Sequence, residues 1–164
     1  MKNLSLIAVI GTNRELGYNN KLLWHIKEDL AFYKAMTMNK NIIMGRFTLG
    51  SMSKSALKGR KPIVLTRSNI VSTDKIKYFD DIEKLLELIR NTEEEFMVVG
   101  GAKIYEQFLP YVNTMYLTSI DNDNNYECDC YFPKFNIYDW ETQLLKEGNE
   151  GEISYQIKKY IRRK

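Results

Sequence analysis

Hydrophobic positions in this chain form short unbroken runs separated by stretches of helical period. Residues 4–10 are apolar almost throughout, β-branched in part, and end at Gly11. A run without alternation predicts a strand buried on both faces, as in a parallel sheet. Ile42, Ile43 and Met44 repeat the signature, as do Ile63, Val64 and Leu65, and again Phe96, Met97, Val98 and Val99. Helical patterns lie between the runs, over residues 26–37, briefly after Gly45, and over 81–90 and 102–108. Strand and helix in alternation predict an α/β fold with a mostly parallel sheet. Toward the C-terminus, 115–120 reads as a strand, and 140–146 and 153–161 alternate polar with apolar. The turn formers in 147–151 between them predict a closing antiparallel hairpin. Residues 11–23 are long for a strand-to-helix connection and rich in Gly and Asn, which fits a lid over a ligand or a plain exposed loop.

One helical position breaks the pattern. At about 100° per residue, Ile26, Leu30, Tyr33 and Met36 share a stripe, and Asp29 falls inside it. Lys27, Glu28, Ala31 and Lys34 point away. A charge on a buried face is costly unless paired, so Asp29 is either a satisfied structural acid near a helix start or a ligand-binding group.

Composition narrows the classes. The chain has 164 residues, 44% hydrophobic and 27% charged, enough for one domain spanning 1–164 with its own core. A net charge of +3 gives no case for nucleic acid or membrane, though it suits a small anionic ligand. Cys128 and Cys130 read as free thiols of a reducing, cytoplasmic setting. His25 is the only histidine, which argues against a Ser-His triad or a multi-His metal site, so no metal is expected.

Glycine joins a buried strand to a helix start twice, at Gly45-Arg46-Phe47-Thr48 and at Gly100-Gly101-Ala102-Lys103-Ile104-Tyr105. Glycine lets a phosphate approach the backbone, and the helix start offers free N–H groups. Neither matches the G-x-G-x-x-G fingerprint, but two such junctions at the carboxyl ends of parallel strands suggest a dinucleotide with its pyrophosphate between two helices. Thr66, Arg67 and Ser68 follow a third strand and offer another anion site, or a solvated loop.

In order and spacing these residues resemble bacterial dihydrofolate reductases from end to end. The matching stretches are Leu6 to Val9; Gly17 to Asn20 leading to Leu23 and Trp24; Asp29 through Thr37; Ile43 to Thr48; Gly59, Arg60 and Lys61; Gly100 through Pro110; Tyr116 to Thr118; and Asp129 before Phe132 and Pro133. The resemblance implies a three-layer fold with helices on both faces of a central sheet of about eight strands. It implies a monomer that reduces 7,8-dihydrofolate with NADPH and is bound by antifolates. Catalysis falls to Asp29, Trp24, Thr118 and Tyr105. Asp29 accepts a ring N–H and the exocyclic amine of the pterin side by side, and Thr118 hydrogen-bonds that carboxylate. Ile7, Ala8, Leu30, Tyr33, Met52, Leu57 and Val99 join Asp29 and Thr118 in the substrate site, and Arg60 clamps the glutamate α-carboxylate. Ala8, Val9, Leu16, Asn20 and Leu22 approach the nicotinamide end of the cofactor. Gly45, Arg46, Phe47, Thr48, Gly100, Gly101, Ala102, Lys103, Ile104, Tyr105 and Gln107 line the rest, with Leu65, Thr66 and Arg67 toward the 2′-phosphate. The Gly100–Gly101 peptide is cis by the same carry-over, residues 11–23 form the lid, and Asp129 tethers it.

The chain departs from the pattern at Leu23, where proline is common before the tryptophan, and at Tyr33, where phenylalanine is usual. Cysteines flank Asp129 where small or hydroxyl residues are common. Leu23 and Tyr33 are expected to weaken binding of diaminopyrimidine antifolates. Two other readings compete. The pyrimidine reductase of riboflavin synthesis shares the glycine turns but has no reason to keep Arg60 or the Trp24–Asp29 pair. A non-catalytic nucleotide-binding module needs no carboxylate on the apolar stripe.

Overall fold

The structure, a computed structural model, describes residues 1–19, 21–121 and 126–164. Its elements run β1 (Leu4–Ile10), β2 (Glu15–Tyr18), β3 (Lys21–Leu22), α1 (Lys27–Thr37), β4 (Asn41–Gly45), α2 (Arg46–Ser51), α3 (Lys54–Leu57) and β5 (Lys61–Leu65). There follow β6 (Lys77–Phe79), α4 (Ile82–Arg90), β7 (Phe96–Gly100), α5 (Ala102–Phe108), β8 (Thr114–Ile120), β9 (Cys130–Tyr131), a 3₁₀ turn at Ile137–Asp139, β10 (Trp140–Glu150) and β11 (Ile153–Arg162).

Among the described residues the main sheet has eight strands in the order β10-β11-β8-β1-β7-β4-β5-β6. Every pair from β8 to β6 is parallel, and β11 is antiparallel to both β8 and β10. Alternate residues of β1 explain why its run is continuous. Leu6 and Ala8 pack with Leu85, Leu86 and Ile89 of α4 and with Phe108 of α5. Ile7 packs in a second cluster, with Ile42, Met44, Val64 and Met97, against Phe32, Tyr33 and Met36 of α1 and Leu49 and Leu57 beyond it. Helices therefore cover both faces, as the resemblance implied. No helix among the described residues is long and apolar enough to cross a membrane.

Three expectations need correction. Leu30 is 52% exposed rather than buried, and Phe32 points inward instead, its ring 5.9 Å from that of Tyr116. Ile26 caps α1 in an extended conformation, so it does not share the helical phase. The true inner face starts at Asp29 and runs through Phe32, Tyr33, Met36 and Thr37, the spacing of a helical stripe. The turn cluster expected over 147–151 is mostly strand, since β10 continues to Glu150 and only Gly151, at φ +61°, and Glu152 make the turn. Residues 11–23 are not an open loop, because β2 pairs with β3 and β9 in a small second sheet.

Candidate active site

Asp29 lies in the first turn of α1 and faces β8, where Thr118, 2% exposed, donates its hydroxyl hydrogen bond to Asp29 Oδ1 at 2.5 Å. Burial pushes the Asp29 carboxyl above the usual carboxylate range, and the Thr118 hydrogen bond opposes that shift in part. Glu28, one residue earlier, is exposed and paired with Lys146 at 2.5 Å, so helical phase separates the two acids as expected. The Trp24 ring is buried against Ile26, Ile120 and Ile157, and its Nε1 has no hydrogen-bond partner among the described residues. Tyr105 donates to the Ile7 carbonyl at 2.7 Å. Burial, with the Tyr33 and Asp29 charges behind it, drives its phenol far above the ordinary value, so Tyr105 acts as a neutral donor.

Ile7, Tyr33, Met52, Leu57 and Val99 belong to one apolar cluster and form a continuous wall, joined by Phe32, which the expected stripe missed. Its spacing of three from Asp29 was the available signal. The Tyr33 hydroxyl is buried without a partner among the described residues, and burial raises its pKa against the lowering effect of Arg60. Arg60 is anchored at the far end of α1. Its Nε donates to Thr37 Oγ1 at 3.1 Å, and its two terminal nitrogens donate to the Lys58 carbonyl at 2.8 Å and the Lys34 carbonyl at 2.9 Å. A guanidinium has five N–H donors, so the fork keeps N–H groups for a carboxylate while its orientation is held.

The glycine junctions lie side by side. β4 and β7 are neighbouring parallel strands, Gly45 caps α2, and Gly101 caps α5. A Cβ on Gly101 would come within 3.7 Å of Thr48 Oγ1, and one on Gly45 within 3.3 Å of Ile104 Cγ1. Neither cap residue offers a side-chain acceptor to its helix, so the first amides of both remain for an anion between them. The Gly100–Gly101 peptide is cis, and Gly100 has φ +127°. Ala102 is half-buried and Lys103 exposed. Arg46 donates to Ser68 Oγ at 2.7 Å, which draws Ser68 beside Thr66 and Arg67 at the end of β5. Phe47 is 78% exposed.

Other expected cofactor residues are less direct. The side chains of Ala8, Leu16 and Leu65 pack into the core cluster shared with α4 and α5, Ala8 and Leu65 because they take the opposite alternation from their neighbours Ile7 and Val64. Their backbones are what they can offer a ligand. Val9 is half-buried and Leu22 exposed. Gln107 donates to the Lys103 carbonyl at 3.3 Å, back along its own helix. Asn20 lies outside the described residues. The segment 11–23 is tied near its middle, where Asp129 Oδ2 accepts from Asn19 N at 3.0 Å and Asp129 N donates to the Gly17 carbonyl at 3.1 Å. Leu23 N donates to the Leu16 carbonyl at 3.4 Å, a bond that proline could not make.

Comparison with known proteins identifies the family. A model of the dihydrofolate reductase family matches residues 3–162. The dihydrofolate reductase of Buchnera aphidicola from Acyrthosiphon pisum is 41% identical over 153 residues, covering 93% of this chain and 92% of its own. That of Neisseria meningitidis serogroup A is 35% identical over 164 residues and 99% of each chain. A solved dihydrofolate reductase from Enterococcus faecalis, in complex with NADP(H) and RAB-propyl, superposes with a TM-score of 0.85 at 24% identity, over 98% of this chain and 96% of that one.

Proposed function

The chain belongs to the dihydrofolate reductase family, and we propose how its own residues carry out the reaction, NADPH-dependent reduction of 7,8-dihydrofolate to 5,6,7,8-tetrahydrofolate. When bound, NADPH supplies the hydride for the pterin carbon next to N5, and a proton reaches N5. Asp29 accepts the pterin's two adjacent N–H donors, which fixes the ring and satisfies the buried carboxylate. Thr118 holds the carboxylate in that orientation. The negative charge of the partly buried Asp29 carboxylate favours protonation of the bound pterin at N5, which makes the adjacent carbon more electrophilic. Trp24 closes the site at the pterin, the cluster of Ile7, Tyr33, Met52, Leu57 and Val99 excludes water from its length, and Arg60 takes the α-carboxylate at its outer end. The amides and side chains at Gly45–Thr48 and Gly101–Lys103 hold the cofactor's pyrophosphate, with Thr66 and Arg67 at its 2′-phosphate. We propose a cytoplasmic monomer of one domain, for which sedimentation at micromolar concentration is the check.

The observation that carries the assignment is a carboxylate on the inner face of α1, held by a buried threonine. Spectrophotometry tests it. Oxidation of NADPH should require dihydrofolate, and Asp29→Asn should lower the turnover by about 10²-fold or more. An Asp29→Asn protein that binds both ligands and turns over like the wild type would overturn the role given to Asp29.

A further inference from the structure

Helix α1 does not cap itself. Its N-cap residue is Ile26, which has no side-chain acceptor, yet the first N–H groups of a helix need partners. The cap comes from a strand 123 residues away, because Glu150 Oε1, at the end of β10, accepts from Lys27 N at 3.1 Å. A second contact joins the same two elements, the 2.5 Å pair of Glu28 with Lys146. Lys146 and Glu150 are an even number of residues apart on one strand, so they share a face.

The strand register places these contacts opposite the catalytic pair. Lys146 is aligned with Ile157 on β11, and Ile157 with Thr118 on β8. Lys146, Ile157 and Thr118 therefore occupy one cross-strand row. Consecutive residues of α1 are fastened to the two ends of that row, Glu28 to Lys146 and Asp29 to Thr118. The two contacts, the peptide link between Glu28 and Asp29, and the paired strands close a ring around the start of α1. Ile26 and Trp24 belong to one buried cluster with Ile157, the central residue of that row.

We propose that Lys146 and Glu150 are positioning residues for Asp29: from the edge of the sheet they set the height and rotation of the first turn of α1, and so the placement of the carboxylate against Thr118 and the pterin. This rests on the assignment of Asp29 as the pterin-binding carboxylate. Exposed ion pairs such as Glu28–Lys146 contribute little to overall stability. Small displacements of a reacting group, in contrast, cost rate steeply, so the effect belongs in hydride transfer more than in folding.

Single-turnover hydride transfer, measured with ordinary and 4-deuterated NADPH alongside thermal midpoints, separates the two. Glu150→Ala is expected to slow the isotope-sensitive step about 5- to 10-fold, and Glu150→Gln, which keeps the oxygen that caps Lys27, to restore most of it. Lys146→Ala should slow the step in the same sense, and Lys146→Arg should recover it. Lys84→Ala on α4, which breaks a comparable exposed pair with Asp80 just before that helix, serves as the control and should leave hydride transfer unchanged. Wild-type hydride transfer in Glu150→Ala and Lys146→Ala would overturn the proposal, as would slowing matched by the Lys84→Ala control. Should Glu150→Ala fail to fold, the comparison of Lys146→Ala with Lys146→Arg decides alone. A wild-type enzyme with no dihydrofolate-dependent oxidation of NADPH would instead remove the assignment on which the proposal stands.

Discussion

Asp29 trades stability for chemistry, and the direction of its pKa shift says how. An unfolded chain ionises this carboxyl near 3.8, whereas burial raises the value in the folded protein. Between the two values the native state binds more protons than the unfolded one, so stability falls as pH rises through that window and stays lowered above it. Asp29→Asn keeps an oxygen for Thr118 and removes the desolvated charge. It should therefore raise the thermal midpoint at pH 7, by an amount within the roughly 0.5–2 kcal/mol common for stabilising changes at strained sites, and the gain should fade as pH falls toward the unfolded value. Thermal melts of both proteins across that range are the check, and a midpoint at pH 7 below the wild type's would show that Asp29 is paired rather than penalised. Tyr33 makes a parallel case. Its buried hydroxyl has no partner among the described residues, and such a group costs about 1–3 kcal/mol. Tyr33→Phe should raise the midpoint and tighten a diaminopyrimidine antifolate. Unchanged inhibitor affinity would show that Tyr33 does not weaken antifolate binding.

At the level of elements, what could be read from sequence followed from local signals. Buried parallel strands show themselves as unbroken apolar runs, which located β1, β4, β5 and β7, and glycine at a strand end located both strand-to-helix junctions. What escaped depends on partners far along the chain. β6 is three residues long and exists because β5 offers it an edge, and β2, β3 and β9 hold one another in a sheet that no periodicity announces. Leu30 departs from the stripe expected of α1 because Ile26, one turn before it, is an extended cap and does not set the helical phase. The junctions themselves allow a sharp test. A Cβ at Gly101 would lie at an ordinary 3.7 Å from Thr48 Oγ1, so Gly101→Ala should fold, yet it fills the gap between α2 and α5. Its KM for NADPH should rise about tenfold, the equivalent of about 1.4 kcal/mol, with the affinity for dihydrofolate nearly kept. Equilibrium titration of each ligand checks this, and equal losses for both would point to a general distortion instead.

Across the whole molecule, sheet order becomes site order. Thr118, Val9, Val99, Gly45 and Thr66 mark the carboxyl-terminal parts of β8, β1, β7, β4 and β5 or the residue just beyond, and those strands are consecutive neighbours. Four spacings of about 4.8 Å make a span of roughly 19 Å, room for a pterin at one end and an extended dinucleotide toward the other. Helix α1 covers the end proposed for the pterin, the two glycine junctions sit midway, and the cationic end lies where Arg46 meets Ser68 next to Arg67. Cofactor choice should be decided at that far end, well away from hydride transfer. Arg67 is exposed and has no ion-pair partner among the described residues, so its charge is available to a 2′-phosphate. Arg67→Ala should therefore raise the KM for NADPH about tenfold, near the lower end for a charge-assisted hydrogen bond, while kcat and the kinetics with NADH stay as they were. Added salt should weaken NADPH binding in the wild type more than in the variant, because an exposed charge pair is screened. Steady-state kinetics with both cofactors at two ionic strengths measure each part, and equal use of NADH and NADPH by the wild type would show that the 2′-phosphate is not read at this end of the sheet.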